Sequence, residues 1–321
     1  MGVALPSERL RAGGSRPVRA RLPAAEHKRL SRRYVLRTEL TAWAFVLPVL
    51  VPFVLFLLIP AIGVFWASFE KGGISGKSEF VGLANWNQLL AGGPSTAAIA
   101  NTVKFAVLSV VPSVILAIAL AILLSKASRG GSVFRFLLYF PVLVPGVVAA
   151  MIWTFLLHPD FGVFNMGLRL AGAEPRNWLG ADTALPILAV LDIWRNIGYW
   201  AIFFLAAIIG FPQELFQAAQ LDGAGTWQRF RHLTLPLLKP ITLLALVMGT
   251  VWGLQIFDTV LVLTQGGPAD ATVTVVYYIW NYAFGYNRLG VAAVLSVLLL
   301  LATLALTLAQ MRLLRGGRTG A

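Results

Sequence analysis

The 321-residue chain contains no cysteine, which excludes a disulfide framework and any thiolate metal site. Histidine is almost as scarce. His27, His158 and His232 are the only three and lie far apart, so no zinc-type spacing exists. Charged residues make up 12% of the chain, about half the share of a soluble domain. A phosphate-cradling loop is missing as well. The nearest approach, Gly72-Gly73-Ile74-Ser75-Gly76-Lys77-Ser78, has Lys71 where the motif needs its first glycine, and no strand or helix pattern flanks it. The chain is therefore expected to bind no nucleotide, metal or cofactor of its own and to perform no covalent chemistry.

What it has in abundance is apolar sequence: 58% of residues are hydrophobic, and the mean hydropathy is +0.78. Length alone suggests roughly two domains, but apolar runs too long for a soluble core recur throughout. The first, 41–69, carries Pro48, Pro52 and Pro60 and is too long for a cleaved signal segment. Five more follow at about 101–125, 134–157, 185–210, 237–264 and 289–311. About 20 apolar residues span the hydrocarbon layer, and helices satisfy their own backbone there. The expectation is an all-α membrane protein of six transmembrane helices.

The sparse charges are unevenly placed. Arg9, Arg11, Arg16, Arg19, Arg21, Lys28, Arg29, Arg32, Arg33 and Arg37 crowd the first 39 residues. Lys126, Arg129, Arg135, Arg229, Arg231, Lys239, Arg312, Arg315 and Arg318 fall on the same side if the runs alternate, nineteen in all. Lys71, Lys77, Arg169, Arg176 and Arg288 fall on the other, while Lys104 and Arg195 lie inside runs. The excess of basic residues in cytoplasmic loops then puts both termini in the cytoplasm. It also accounts for the net charge of +13 without nucleic acid. The organisation expected is a basic tail over 1–39, disordered and able to touch anionic lipid, a membrane domain over 40–315 and a short tail over 316–321. The outer segments are 70–100, 158–184 and 265–288. The last holds Tyr277, Tyr278, Trp280, Tyr282, Phe284 and Tyr286, suited to the membrane–water boundary.

The inner loop at 211–236 is the most informative stretch. Pro212 can start a helix, and Glu214 suits the positive end of its dipole. Gly223 can take the left-handed conformation that ends one, and Asp222 or Thr226 can cap the next. Ala218, Ala219, Ala224 and Gly225 are small, while Leu215, Phe216, Leu221, Trp227 and Phe230 are the apolar groups to hold the turn together. Physically this is either a docking surface or an interfacial loop anchored by aromatics.

The same segment resembles the EAA loop of binding-protein-dependent ABC importers: Glu-Ala-Ala, two residues, Asp-Gly-Ala, five residues, Phe, then Leu-Pro. Ala218, Ala219, Asp222, Gly223, Ala224, Phe230, Leu235 and Pro236 match, and Gln217 replaces the glutamate. Phe80-Val81-Gly82-Leu83-Ala84-Asn85-Trp86, Asn101-Thr102, and Phe257-Asp258 with Leu263-Thr264-Gln265-Gly266-Gly267-Pro268 are similar to the carbohydrate branch of these permeases. The resemblance implies a second permease, commonly a different one, two ATP-binding subunits that use ATP and Mg, and an extracytoplasmic solute-binding protein.

Ionisable groups inside spans face a cavity or a partner. Asp192, Arg195, Asn196 and Tyr199 share one helix face, either as an Asp192–Arg195 pair or as solute contacts. Trp252, Gln255 and Asp258 in the fifth run sit at a similar depth. Together they are the expected solute pathway for a sugar, polyol or glycerol-phosphate-like solute. An ion-coupled secondary transporter or a non-transporting scaffold is the other class considered; broken helices, a mark of such transporters, are not evident in the runs.

Overall fold

Apolar runs of this length fold as helices because the backbone then bonds to itself. In the computed structural model, residues 39, 41–73, 76, 78–92, 94–126 and 131–315 are described. Expectations for the basic tail before residue 39, for Ile74, Ser75, Lys77 and Arg129, and for 316–321 lie outside them. By its contacts the chain divides into two compact units, one ending at Ala61 and one beginning at Ile62.

The first unit is described from the start of helix α1 (Thr41–Ala67). Its apolar side chains are exposed, Phe45 and Phe56 most of all, as befits a helix solvated by lipid or covered by a partner. Downstream of Pro52 the helix widens into a π-turn at Val54–Leu58, with the Ile59 amide donating to the Val54 carbonyl; a proline removes a regular bond nearby.

Within the second unit, the end of α1 is followed by a two-residue antiparallel pair, β1 (Glu70–Lys71) and β2 (Glu79–Phe80). Then come α2 (Ala84–Leu90), α3 (Pro94–Ser125), α4 (Gly131–Leu143), α5 (Gly146–Leu156), α6 (Val163–Leu170) and α7 (Ala184–Ile209). They are followed by α8 (Gln213–Leu221), α9 (Thr226–Leu254), a turn α10 (Val260–Thr264), α11 (Val275–Trp280) and α12 (Leu289–Arg315). Helices α1, α3, α7, α9 and α12 are each long and apolar enough to cross a membrane.

Two of the six expected spans are not single helices. The third run divides into α4 and α5, which meet at 100°. Pro145 causes this: it starts α5 with an extended ψ of 140°, and a proline pushes the residue before it, Val144, out of helical geometry. The fifth run ends at Leu254 and resumes only after Phe257. No proline marks that break. Its Ile256 carbonyl accepts from Thr274 Oγ1 at 3.2 Å, the side-chain repair that an interrupted span requires.

Close packing depends on small residues. Gly249 and Gly253, four apart on α9, lie against Val110 and Ala106 of α3, with no room for a methyl group to spare. At one end of the unit α3 is tied to the segment before α11. Asn101 Nδ2 donates to the Asp270 and Val273 carbonyls, and Thr102 Oγ1 accepts from the Val275 amide at 2.9 Å. Nearby, Asn85 Nδ2 donates to the Ser68 and Glu70 carbonyls. Tyr277 and Tyr278, expected at the lipid boundary, are instead buried in this end's core. The Tyr277 hydroxyl donates to the Gln265 carbonyl.

The core comes in two apolar blocks. One contains Phe105 of α3, Leu185, Leu188 and Leu191 of α7, and Ile256 and Val260. The other contains Val114 and Ala117 of α3, Trp200, Ala201 and Phe204 of α7, and Leu238 and Ala245 of α9. Between the blocks α3 places Ser109 and Ser113, and α7 places Asp192, Arg195 and Asn196, within otherwise apolar stretches.

Candidate functional site

Around that interval lie the seven residues expected from the sequence to form a solute pathway. Asp192, Arg195, Asn196 and Tyr199 of α7 and Trp252, Gln255 and Asp258 from the break after α9 line one cavity of about 370 Å³, with Val142 and Ile256. Asp192 does not pair with Arg195. Its Oδ2 accepts from Ser109 Oγ of α3 and its Oδ1 from Asn196 Nδ2 at 2.9 Å. Arg195 reaches across to Asp258, Nη1 to Oδ2 at 3.5 Å, the single ion pair among the described residues. The intrahelical pair is thus replaced by an interhelical one. The break at 255–257 is what brings Asp258 into reach.

Both side chains keep access to solvent, at 21% for Arg195 and 35% for Asp258. Gly146, the first residue of α5, lies directly against them, where any side chain would collide with the Asp258 carboxylate and the guanidinium. Both helix interruptions therefore converge on one ion pair. On the aromatic side Tyr199 and Trp252 rings lie 5.6 Å apart, and Trp200 lies 5.5 Å from Trp252.

Ser109, Val142, Gly146 and Ile256 escaped the sequence reading. Ser109 and Ser113 left a signal, two hydroxyls four apart in an otherwise apolar run. Gly146 left none, because its role depends on which helix faces it.

The loop at 211–236 forms a helix–turn–helix. Pro212 precedes α8, with Glu214 in its first turn. At the far end Gly223 has φ +78°. Its amide donates to the Gln220 carbonyl at 3.1 Å, and the Ala224 amide donates to the Ala219 carbonyl at 2.9 Å. These are the two bonds of a Schellman motif, which glycine makes without strain.

The next cap differs from expectation. Neither Asp222 nor Thr226 caps α9; the Gly225 amide donates to Gln228 Oε1 at 2.8 Å. The spacing of Gln228, three residues inside the helix, suits the reciprocal half of a capping box. Helix α9 then continues through Phe230 and Pro236 to Leu254, passing a π-turn at Phe230–Thr234.

The apolar residues expected to hold this turn only partly do so. Phe211 stacks on Phe216 and Trp227 packs on Phe230, but Leu221 is 89% exposed and Trp227 67%. Gln217 and Ala218 are exposed too. Beside them Ala219, Asp222, Gly223, Ala224, Gln228 and Arg229 line a hollow of about 360 Å³.

Residues 113–315 match the family described as binding-protein-dependent transport system inner membrane component. The chain is 31% identical over 285 residues to the trehalose/maltose transport system permease protein MalF of Thermococcus litoralis, covering 88% of this chain and 96% of that one. It is 35% identical over 273 residues to the sn-glycerol-3-phosphate transport system permease protein UgpA of Yersinia pestis, covering 83% and 91%. Its fold aligns with a chain of a bacterial ABC transporter involved in import of the acidic polysaccharide alginate, with a TM-score of 0.78, 25% identity, and 92% and 100% coverage. A second structure, of a bacterial alginate ABC transporter in complex with alginate pentasaccharide-bound periplasmic protein, aligns with the same score and identity over 92% and 99%.

Proposed function

Since the chain belongs to the binding-protein-dependent transport system inner membrane components and is an ABC importer permease of the carbohydrate type, we propose that it forms one half of a solute passage driven by ATPase subunits docked on its 211–236 loop. One observation carries this reading: an exposed helix–turn–helix that leads without interruption into a helix ending at the polar cavity. Helix α9 has 29 residues, about 43 Å at 1.5 Å per residue. Its first turn holds the exposed Trp227, and its last turn holds Trp252 of the cavity wall.

Each part has a physical role. Leu221 and Trp227 are apolar side chains left mostly exposed, and aromatic and apolar anchors are what a partner's groove takes. Ala218, Ala219 and Gly223 let its backbone approach, and Gln217 offers a hydrogen bond in place of a charge. ATP and Mg belong to the ATPase; this chain switches between two conformations that bind solute differently, as coupling requires. A second permease, most simply a different one, closes the other half of the passage. A solute-bound extracytoplasmic protein docks at the end carrying 70–92 and 265–288. The basic residues of 1–39, 126–135, 229–239 and 312–318 support an inner-membrane orientation with cytoplasmic termini.

Co-purification tests the docking. Leu221→Asp and Trp227→Asp change side chains that are mostly exposed, Trp227 touching the ring of Phe230, so membrane insertion should persist while the ATPase recovered with the permease falls roughly thirtyfold, the loss of a contact worth about 2 kcal/mol. Wild-type recovery with both variants would falsify the assignment.

A sugar-like solute is the reading favoured for the cavity, where Asn196, Gln255, Asp192 and Asp258 offer hydroxyl partners and Trp252 a stacking face. Asn196→Ala and Gln255→Ala are expected to lower uptake about tenfold each with the protein's amount in the membrane unchanged. Uptake at the wild-type rate in both would sink the solute role.

A further inference from the structure

The cavity's charges narrow the solute further. We propose that it admits an uncharged, hydroxyl-rich solute and rejects one carrying a phosphate or carboxylate, because the only cation among its described lining residues is already committed to Asp258; this rests on reading the cavity as the solute site. Among its lining residues are two carboxylates, Asp192 and Asp258, and one guanidinium, Arg195. Arg195 faces Asp258 across the break. Asp192 is held by hydroxyl and amide groups, Ser109 and Asn196, which bring no countercharge.

An anionic group entering here finds no free positive partner among this chain's described lining residues. To gain Arg195 it must displace Asp258, leaving two carboxylates and an anion around one cation, and like charges at this range repel strongly away from bulk water. A neutral sugar meets no such penalty. Its hydroxyls donate to Asp192, Asp258 and the side-chain carbonyl oxygens of Asn196 and Gln255, accept from the Gln255 amide, and leave the ion pair in place. Its apolar face has the exposed part of Trp252 to lie on, beside Tyr199. The distinction matters because the relatives are named for both classes, trehalose and maltose on one side and glycerol phosphate and alginate on the other.

The residue that sets this selectivity is Asp258. Replacing it with asparagine keeps the shape but releases Arg195 as a phosphate or carboxylate partner. The test is binding of labelled maltose, trehalose and sn-glycerol 3-phosphate to the complete importer in lipid nanodiscs, with wild type, Asp258→Asn and the double variant Arg195→Gln with Asp258→Asn. Wild type is expected to ignore glycerol phosphate. Asp258→Asn is expected to bind it at least about tenfold more tightly, and the double variant to lose that gain. Glycerol phosphate bound by wild type as tightly as by Asp258→Asn, and lost on Gln255→Ala, overturns the charge argument while keeping the cavity as the site. No probe bound by any form overturns the solute-site reading, and this inference with it.

Discussion

Gly198→Ala is expected to remove most of the protein from the membrane and to lower the unfolding midpoint of what remains by roughly 5–10 °C in detergent. Gly198 is buried in the middle of α7, and a methyl group there would run into the Leu138 carbonyl and the Leu138–Tyr139 peptide of α4. A side chain can rotate away from an added methyl, but a helix backbone cannot. Relief requires α4 and α7 to separate along their length, an overpacking cost of about 3 kcal/mol. The damage would spread, because α4 leads into the Pro145 break and Gly146 packs on the Arg195–Asp258 pair. Gly167→Ala is the control: it lies on α6 with nothing within 4 Å of the new methyl, and helix propensity then favours alanine by up to about 1 kcal/mol. Thermal unfolding of both variants, with their membrane yields, decides the matter. Equal behaviour would mean that α4 and α7 do not meet at Gly198.

Arg195→Ala is expected to abolish uptake and also to destabilise, for a different reason. It leaves Asp192 and Asp258 in one cavity without a cation. Removing one partner of a fully buried pair costs about 3–5 kcal/mol. Here both groups keep access to solvent, so about 1–2 kcal/mol is the appropriate scale. Asp258→Ala added to Arg195→Ala takes away one of the stranded charges and should recover most of the stability, while uptake stays absent because the cavity has lost two of its polar contacts. Stability that fails to recover in the double variant would show that the pair does not act as a unit, since a double-mutant cycle isolates the pairwise part. Uptake and unfolding midpoint, measured on the same preparations, separate the two roles.

Much of this arrangement is legible before any coordinates. Runs of apolar residues locate the spans because lipid leaves the backbone no alternative to a helix. Polar residues three and four apart pick out one face of α7 because helical geometry is local. The Schellman turn at Gly223 is likewise a matter of a few neighbouring residues. What escapes is what depends on two segments at once. Arg195 prefers Asp258 to its own helix neighbour only because a break after Leu254 brings Asp258 across, and that break has no proline to announce it. Pro145 does announce the other break, yet a proline can also sit in a merely bent span, so 134–157 reads as one helix. Gly198 and Gly146 are two glycines among 30 until their neighbours are known. The Gly249–Gly253 spacing also escaped the sequence reading, although two glycines four apart are a known signature of close helix packing.

That last contact has a mechanical corollary. Suppose α9 turns as a rod about the place where Gly249 and Gly253 touch α3. The arm toward the helix–turn–helix, from Thr226 to the contact, is then about 38 Å, and the arm from there to Gln255 is only about 6 Å. The ratio, near six to one, is that of a lever with its fulcrum close to the load. An excursion of about 6 Å at the helix–turn–helix end becomes about 1 Å beside Trp252 and Gln255, with force multiplied in proportion. Such gearing trades travel for force. It suits the docking proposed above, in which a partner moves the far end and the near end has only to part the Arg195 guanidinium from the Asp258 carboxylate.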